Sequence, residues 1–268
     1  MRTNGMKRMT ALALAALLAA CTSPQPAPVA SAEPAARPET DEPAISAKAD
    51  RILRRMCATL GNAKAFRFKA VIMFDDVLES GLKLQQWGSI DVAVRRPNGI
   101  RVERKTDVQH RRLLYDGKTI SVLDVGHNMY GETPMPDTID AALEAVATRF
   151  GVTVPFGDLM TSDPYAALTQ GMNAGSYVGE STFRGVTYDH LVFSHEGLDW
   201  QVWVHQDERA LPAKFLLTYP DRPSHPQYGG IFTDWELDAR IEGGEFVFTP
   251  PEGAERIELL PEEQKGGR

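Results

Sequence analysis

The chain has 268 residues, with 29 Lys and Arg against 36 Asp and Glu, for a net charge of −7. An acidic chain with no basic cluster is a poor partner for nucleic acid, and two cysteines are too few to staple a disulfide scaffold. The length allows one large domain or two small ones, which must stand on a hydrophobic core.

Arg2, Lys7 and Arg8 form a positive head, followed by the apolar run MTALALAALLAA from Met9 to Ala20. A basic head and a short apolar run make an export signal, expected over residues 1–20. The run is too short to span a bilayer, which takes about 20 apolar residues. It ends Leu18-Ala19-Ala20-Cys21, which looks like a bacterial lipobox, so Cys21 is the expected lipidation site. One acyl chain holds a protein only marginally at a membrane, whereas several anchor it stably. Thr22, rather than Asp, follows Cys21, which by resemblance favours the outer membrane. Removal of the leader takes away three positive charges and no acids, so the net charge becomes −10. Residues 21–45 are rich in Pro, Ala, Ser and Glu and poor in large apolar residues, the composition of a disordered tether.

A single domain is expected over residues 46–261, with a frayed tail at 262–268. Ile52, Leu53, Met56 and Leu60 recur at helical spacing, with Gly61 placed to end the helix. Cys57 falls in this helix, where a buried inert thiol is expected. The period then changes to two. Phe66, Phe68, Ala70, Ile72 and Phe74 alternate with Arg67, Lys69, Val71 and Met73 in a long strand. Leu82–Val94 and a segment from Ile100 continue the pattern, and Asp116-Gly117 marks a hairpin between RLLY and KTISVLDV. A helical interlude follows. Ile139, Leu143, Val146 and Phe150 share one helix face, stopped by Gly151. Asp163 and Pro164 start a short second helix, with Gly171 past its end. Met129, Met135, Met160 and Met172 gather here and suit either a flexible lid or ordinary gap-filling. Strands resume at 176–183, 187–195, 199–205, 213–219, 231–239 and 245–248. The order predicts an α+β fold, a curved antiparallel β-sheet (half-barrel) with helices covering its concave face.

No catalytic motif appears. Gly179-Glu180-Ser181-Thr182 begins like a nucleophile elbow but ends in Phe183. His190 and His195 are five apart, on opposite faces of a strand. His195 and His205 are candidates to meet across a hairpin, but a third metal ligand is not evident. Trp87, Trp200, Trp203 and Trp235 all fall on expected strands, and Trp200 and Trp203 must face opposite sides. No catalytic residue, metal or cofactor is assigned.

The runs DHLVFSHEGLDWQVWV (189–204), LPAKFLLTY (211–219), PQYGGIFTDWEL (226–237), FTPPEGAERIE (248–258) and PFGDLMTSDPYAAL (155–168) resemble a family of predicted periplasmic proteins, domain of unknown function 2092. The resemblance covers about residues 47–261. Many members lack a lipobox, so the anchor is a departure. The family is similar in fold to the outer-membrane lipoprotein carrier and receptor (LolA/LolB-like), a curved sheet with a helical lid. That resemblance implies binding of a lipid, an acyl chain or a lipoprotein's lipid, and supplies no catalytic residues. The expected cavity is walled by Phe68, Ile72 and Phe74 and closed by Leu143, Val146 and Phe150. Two other readings stay open: an envelope structural or assembly factor acting through its surface, and an unrecognised hydrolase. The expectation of a ligand rests on helices that roof the trough without filling it.

Overall fold

The computed structural model describes residues 44–259. Residues 1–43, with Cys21 and nearly all of the tether, and residues 260–268, with the tail, lie outside the described residues. Among the described residues no helix is long and apolar enough to cross a membrane.

The first helix, α1 (Ala47–Asn62), buries Ile52, Leu53, Met56, Cys57 and Leu60 on one face. It runs past Gly61 to Asn62. Six strands follow: β1 (Ala65–Val77), β2 (Lys83–Arg95), β3 (Gly99–Thr106), β4 (His110–Tyr115), β5 (Thr119–Asp124) and β6 (Met129–Pro134). Next come α2 (Ile139–Phe150), a 3₁₀ turn at Gly157–Leu159 and α3 (Pro164–Thr169). The second set of strands is β7 (Met172–Phe183), β8 (Val186–His195), β9 (Leu198–His205), β10 (Pro212–Thr218) and β11 (Gln227–Leu237), and the short β12 (Glu255–Arg256) comes last. The caps follow the side-chain chemistry. The Ala141 amide donates to Thr138 Oγ1, the Ala166 amide donates to Asp163, and Gly151 closes α2 at φ 62°.

Among the described residues, twelve strands form one sheet in the order β12-β6-β5-β4-β3-β2-β1-β11-β10-β9-β8-β7. It is a curved, open half-barrel. Among the described residues the strands pair antiparallel except β12, which runs parallel to β6, and Ile45 bridges Gly175 in parallel beside them. Two meanders are thus stitched together where β1 meets β11. Their chain connection, from β6 to β7, starts one strand in from one edge of the sheet and finishes at the other edge. It must cross from β6 to the far edge of the sheet. This crossover carries α2, the 3₁₀ turn and α3, and with α1 it covers the apolar face. One expected strand is absent and two others are added. Residues 245–248 are not a strand; a 3₁₀ turn at Gly243–Phe246 stands there, with Phe246 buried against Gly99. β6 and β12 have no counterpart among the strands expected from the sequence. Gly131 is needed in β6 because Leu259 packs where a side chain would stand.

Alternation on β1 sorts the two faces. Phe66, Phe68, Ala70 and Ile72 are buried beneath the helices, while Arg67, Lys69 and Val71 point to the outer face. There Arg67 donates two hydrogen bonds of 2.6 Å to Glu245, and Arg101 adds a third at 3.1 Å. This clamp fixes the C-terminal segment across the outer face. The Arg67 hydrogen bonds hold the Glu245 carboxyl below its usual range. A depressed folded value means that the clamp's stabilisation is present above the unfolded value, near pH ~4.3, and is lost as pH falls through the folded one. We therefore expect Glu245→Gln to cost about 1 kcal/mol or less at neutral pH, since the pair is part-exposed. It should also flatten the acid limb of a urea-denaturation pH series. An unchanged acid limb would contradict this assignment.

Candidate functional site

The covered face is crossed by rows of paired side chains. One row runs Phe74–Tyr228–Leu217–Trp200–Phe193. The next runs Ile72–Gly230–Phe215–Val202–Leu191. Gly230 leaves a gap in that second row, and Phe156 of the crossover fills it. A Cβ on Gly230 would come within 2.6 Å of the Phe156 ring. The ring lies among Phe232, Tyr228 and Phe215, with centroids 5.1, 5.7 and 6.1 Å away. Phe156 is 7% exposed and sits at φ 57°. A bulky side chain in the left-handed region is strained by roughly 1–2 kcal/mol, so packing holds it there against its own preference.

Most of the trough is therefore filled. An open apolar cleft of about 220 Å³ remains beside Phe156. Its floor is the sheet: His195, Leu198, Trp200, Phe215 and Leu217. Its roof is the crossover: Phe156, Asp158, Leu159, Ala167, Leu168 and Gln170. Trp200 stacks on Phe193 at 4.1 Å and on Phe215 at 5.7 Å, so its indole is fixed as a wall. His195 Nε2 is sealed from solvent, with no hydrogen-bond partner among the described residues.

The six residues expected to line the cavity do not bound this cleft. Phe68 and Ile72 are fully buried, and Phe68 packs against Phe232 and Trp235. Phe74 is half-buried beside Tyr228, further along the row that floors the cleft. Leu143 backs the 3₁₀ turn, 3.5 Å from where a Cβ of Gly157 would stand. Val146 is buried and Phe150 half-buried in the same core. Phe68, Ile72 and Phe74 share the covered face with the cleft, and Phe156 occupies the gap on β11, the strand beside theirs. Nothing in the sequence marks Phe156, because a left-handed conformation at a non-glycine residue has no local signature.

The remaining candidates separate. His195 pairs with Leu198, and His205 with Tyr188, so a tight turn puts the two histidines at opposite ends of the β8–β9 hairpin. They do not meet. His190 stacks on Trp203 at 4.1 Å on the outer face. Met160 and Met135 are buried, and Cys57 is buried with its thiol pushed up to about 12 by desolvation, as an inert core residue would be. A larger hollow of about 670 Å³ lies on the outer face among Arg67, Lys69, Asp91, Arg101, Asp234 and Glu236. Its charges largely satisfy one another, with Arg101 2.8 Å from Asp91. Such a surface offers little to an apolar ligand.

The sequence model of the family described as "Predicted periplasmic protein (DUF2092)" matches residues 49–260. No curated protein matches the sequence significantly. Among solved structures, an uncharacterized conserved protein from Thermus thermophilus is similar at 11% identity and TM-score 0.47, over 79% of this chain and 99% of that one. The lipoprotein LppX of Mycobacterium tuberculosis is similar at 13% identity and TM-score 0.44, over 73% and 98%. A LolA superfamily protein of Nitrosomonas europaea is similar at 11% and 0.38, over 75% and 97%.

Proposed function

This chain belongs to the DUF2092 family of predicted periplasmic proteins, and from that premise we propose that it is a binding protein for an acyl chain or similar apolar ligand, held in the cleft between β8–β10 and the crossover. In this reading Cys21 is lipidated, and the domain hangs from the outer membrane on its tether, facing the periplasm. The protein binds and does not catalyse.

The observation that carries the reading is the cleft itself. Six large apolar side chains, Leu159, Leu168, Leu198, Trp200, Phe215 and Leu217, surround space that the protein leaves open. Apolar burial gives about 25 cal/mol per Å², so an alkyl segment gains affinity there without a specific polar contact. The volume is below the ~300–1,000 Å³ usual for small-molecule sites. A full acyl chain therefore needs the Phe156 ring to move. Withdrawal of that ring would join the cleft to Gly230 and bring Phe68, Ile72 and Phe74 into the wall. Leu143, Val146 and Phe150 would then back the roof.

Trp200 is a built-in reporter. Titration with a bromine-substituted acyl chain is expected to quench tryptophan fluorescence saturably, and Trp200→Phe should remove most of that quenching. Absent quenching, or quenching indifferent to Trp200, would reject the cleft as the site. The dense packing elsewhere in the trough favours a second reading, an envelope factor that acts through its surface. That reading predicts no quenching at all.

A further inference from the structure

The sheet splits between β10 and β11. Their ladder runs from Thr218 and Gln227 to Lys214 and Ile231 and goes no further, although β11 continues along β1 to Leu237. Two irregularities meet at the split. Thr233 is an extra residue in the β1–β11 ladder, and Ala213 is one in the β9–β10 ladder. Bulges bend their strands and end pairing, and Pro212 has no N–H with which to continue it. The fork holds the outer-face hollow of about 670 Å³, with Thr233–Glu236 on one side and His205, Asp207 and Arg209 on the other. The register shows which backbone groups face this opening. The Leu78 amide donates to Leu82 O and the Arg96 amide to Lys64 O, so even-numbered residues of β1 exchange hydrogen bonds with β2. Arg67 and Lys69 then turn to β11 and bond Glu236 and Asp234. Trp235, between those two, presents its amide and carbonyl to the fork, and among the described residues neither has a backbone partner there. Its indole Nε1 donates to Pro212 O at 3.0 Å and closes the inner side.

We propose that this fork is a strand-addition site for a short extended peptide that carries two basic side chains two residues apart and pairs antiparallel with Thr233–Leu237. An unpaired strand edge is a template for another chain, and the hollow lies within the ~300–1,000 Å³ usual for ligand sites. The central residue of the peptide exchanges two hydrogen bonds with Trp235. Its two neighbours stand on the outer face opposite Asp234 and Glu236, about 4.5–5.5 Å away between Cβ atoms. Both acids are exposed. Glu236 has Arg67 no nearer than 3.9 Å, and Asp234 meets the Thr233 hydroxyl at 3.1 Å. Opposite charges across a ladder attract and like charges repel, so lysine or arginine is favoured at both positions. The outer face already alternates in this way, since Asp91 pairs with Lys69 and Lys69 with Asp234; a basic residue continues the row. On the far wall Asp207 and Arg209, 3.9 Å apart, offset each other. The indole behind Trp235 favours a small central residue. The site lies on the opposite face of the sheet from the apolar cleft and does not rest on the function proposed for that cleft.

The test titrates the full chain, by fluorescence anisotropy, against three labelled and capped pentapeptides: Thr-Lys-Ala-Lys-Thr, Thr-Glu-Ala-Glu-Thr, and the lysine peptide N-methylated at its alanine. The lysine peptide is expected to bind about tenfold more tightly than the glutamate peptide, and N-methylation, which removes the N–H that meets the Trp235 carbonyl, to weaken it about tenfold. Hydrogen exchange of the Trp235 amide should slow when the lysine peptide binds. Asp234→Asn combined with Glu236→Gln should abolish the preference for lysine and keep the sensitivity to N-methylation. Leu217→Trp, in the apolar cleft, should change neither. An N-methylated peptide that binds as well as its parent, or an unprotected Trp235 amide, overturns strand addition. A double variant that keeps the lysine preference overturns the pairing with Asp234 and Glu236. If no peptide binds, or if Leu217→Trp abolishes binding, the fork is not a peptide site. Far-ultraviolet circular dichroism confirms that each variant is folded.

Discussion

Phe156→Ala is expected to destabilise the domain by about 3 kcal/mol and, at the same time, to strengthen binding of long acyl chains. The two effects have one cause. Removal of a buried phenyl ring typically costs about 3–5 kcal/mol, because transfer energy is lost and a void remains. Here the ring fills the gap over Gly230, between Phe215, Tyr228 and Phe232. No neighbour can close that gap easily, since Gly230 has no side chain and the sheet register fixes the others. The void would extend the existing cleft rather than create an isolated cavity. A ligand that fills it restores stability through binding to the folded state alone, by about 2.7 kcal/mol at a hundredfold excess over its dissociation constant. Thermal melts with and without a sixteen-carbon fatty acid check this. The variant should gain more from the ligand than the wild type does. Equal gains would mean that Phe156 does not occupy ligand space. Phe156→Gly separates strain from packing, because glycine accepts φ 57° freely.

The second large effect is expected at Arg96. Its guanidinium donates to Thr161 O at 2.7 and 2.9 Å, Leu60 O at 2.8 Å, Ala63 O at 2.5 Å and Leu159 O at 3.3 Å. These carbonyls end α1 and the 3₁₀ turn, so one side chain ties both covering elements to the end of β2. The ring of Phe66 lies 5.1 Å beneath it. Helix ends leave carbonyls without intrahelical partners, and Arg96 satisfies them with a fork that Lys cannot copy. Arg96→Met should cost about 3–4 kcal/mol, because several part-buried acceptors lose charged donors together. For a domain of this size that is a fall of roughly 6–16 °C in Tm. Arg96→Lys should recover only part of it. A loss below about 1 kcal/mol for Arg96→Met, read from urea unfolding, would show that water replaces the guanidinium without penalty.

Much of the architecture is legible in the residues because it is locally encoded. Period-two alternation from Phe66 to Phe74 sets both the strand and its buried face. Asp163, Gly151 and Gly171 mark helix limits by chemistry that needs no tertiary contact. What fails locally is decided by distant partners. Gly229 and Gly230 read as breakers, yet β11 begins at Gln227, because Phe156 and the Phe215 carbonyl press where side chains would stand. The segment Glu245–Phe248 alternates like a strand, but Phe246 is drawn into a slot over Gly99 and Glu245 is caught by Arg67 and Arg101. The site shows the same division. An apolar covered face follows from the strand pattern, with Phe68, Ile72 and Phe74 on it. Which part of that face stays open depends on Phe156, placed by a crossover whose path only the strand order reveals.

The strand order also explains why the cleft sits where it does. The crossover must span from β6 to β7, and its middle, from Gly151 to Ser162, contains little regular helix. An irregular segment over a curved sheet meets it unevenly. Leu159 and Met160 seat fully, whereas beside Trp200 and Leu217 the roof stands off.

The most direct test of the account is native mass spectrometry of the protein isolated from cell envelopes without denaturant, beside Leu217→Trp, whose larger ring fills the cleft. The wild type should carry a non-covalent acyl-bearing adduct that leaves at low collision energy, apart from any covalent modification of Cys21, and Leu217→Trp should be free of it. A wild type that flies bare, or an adduct equally present on both proteins, would contradict the account.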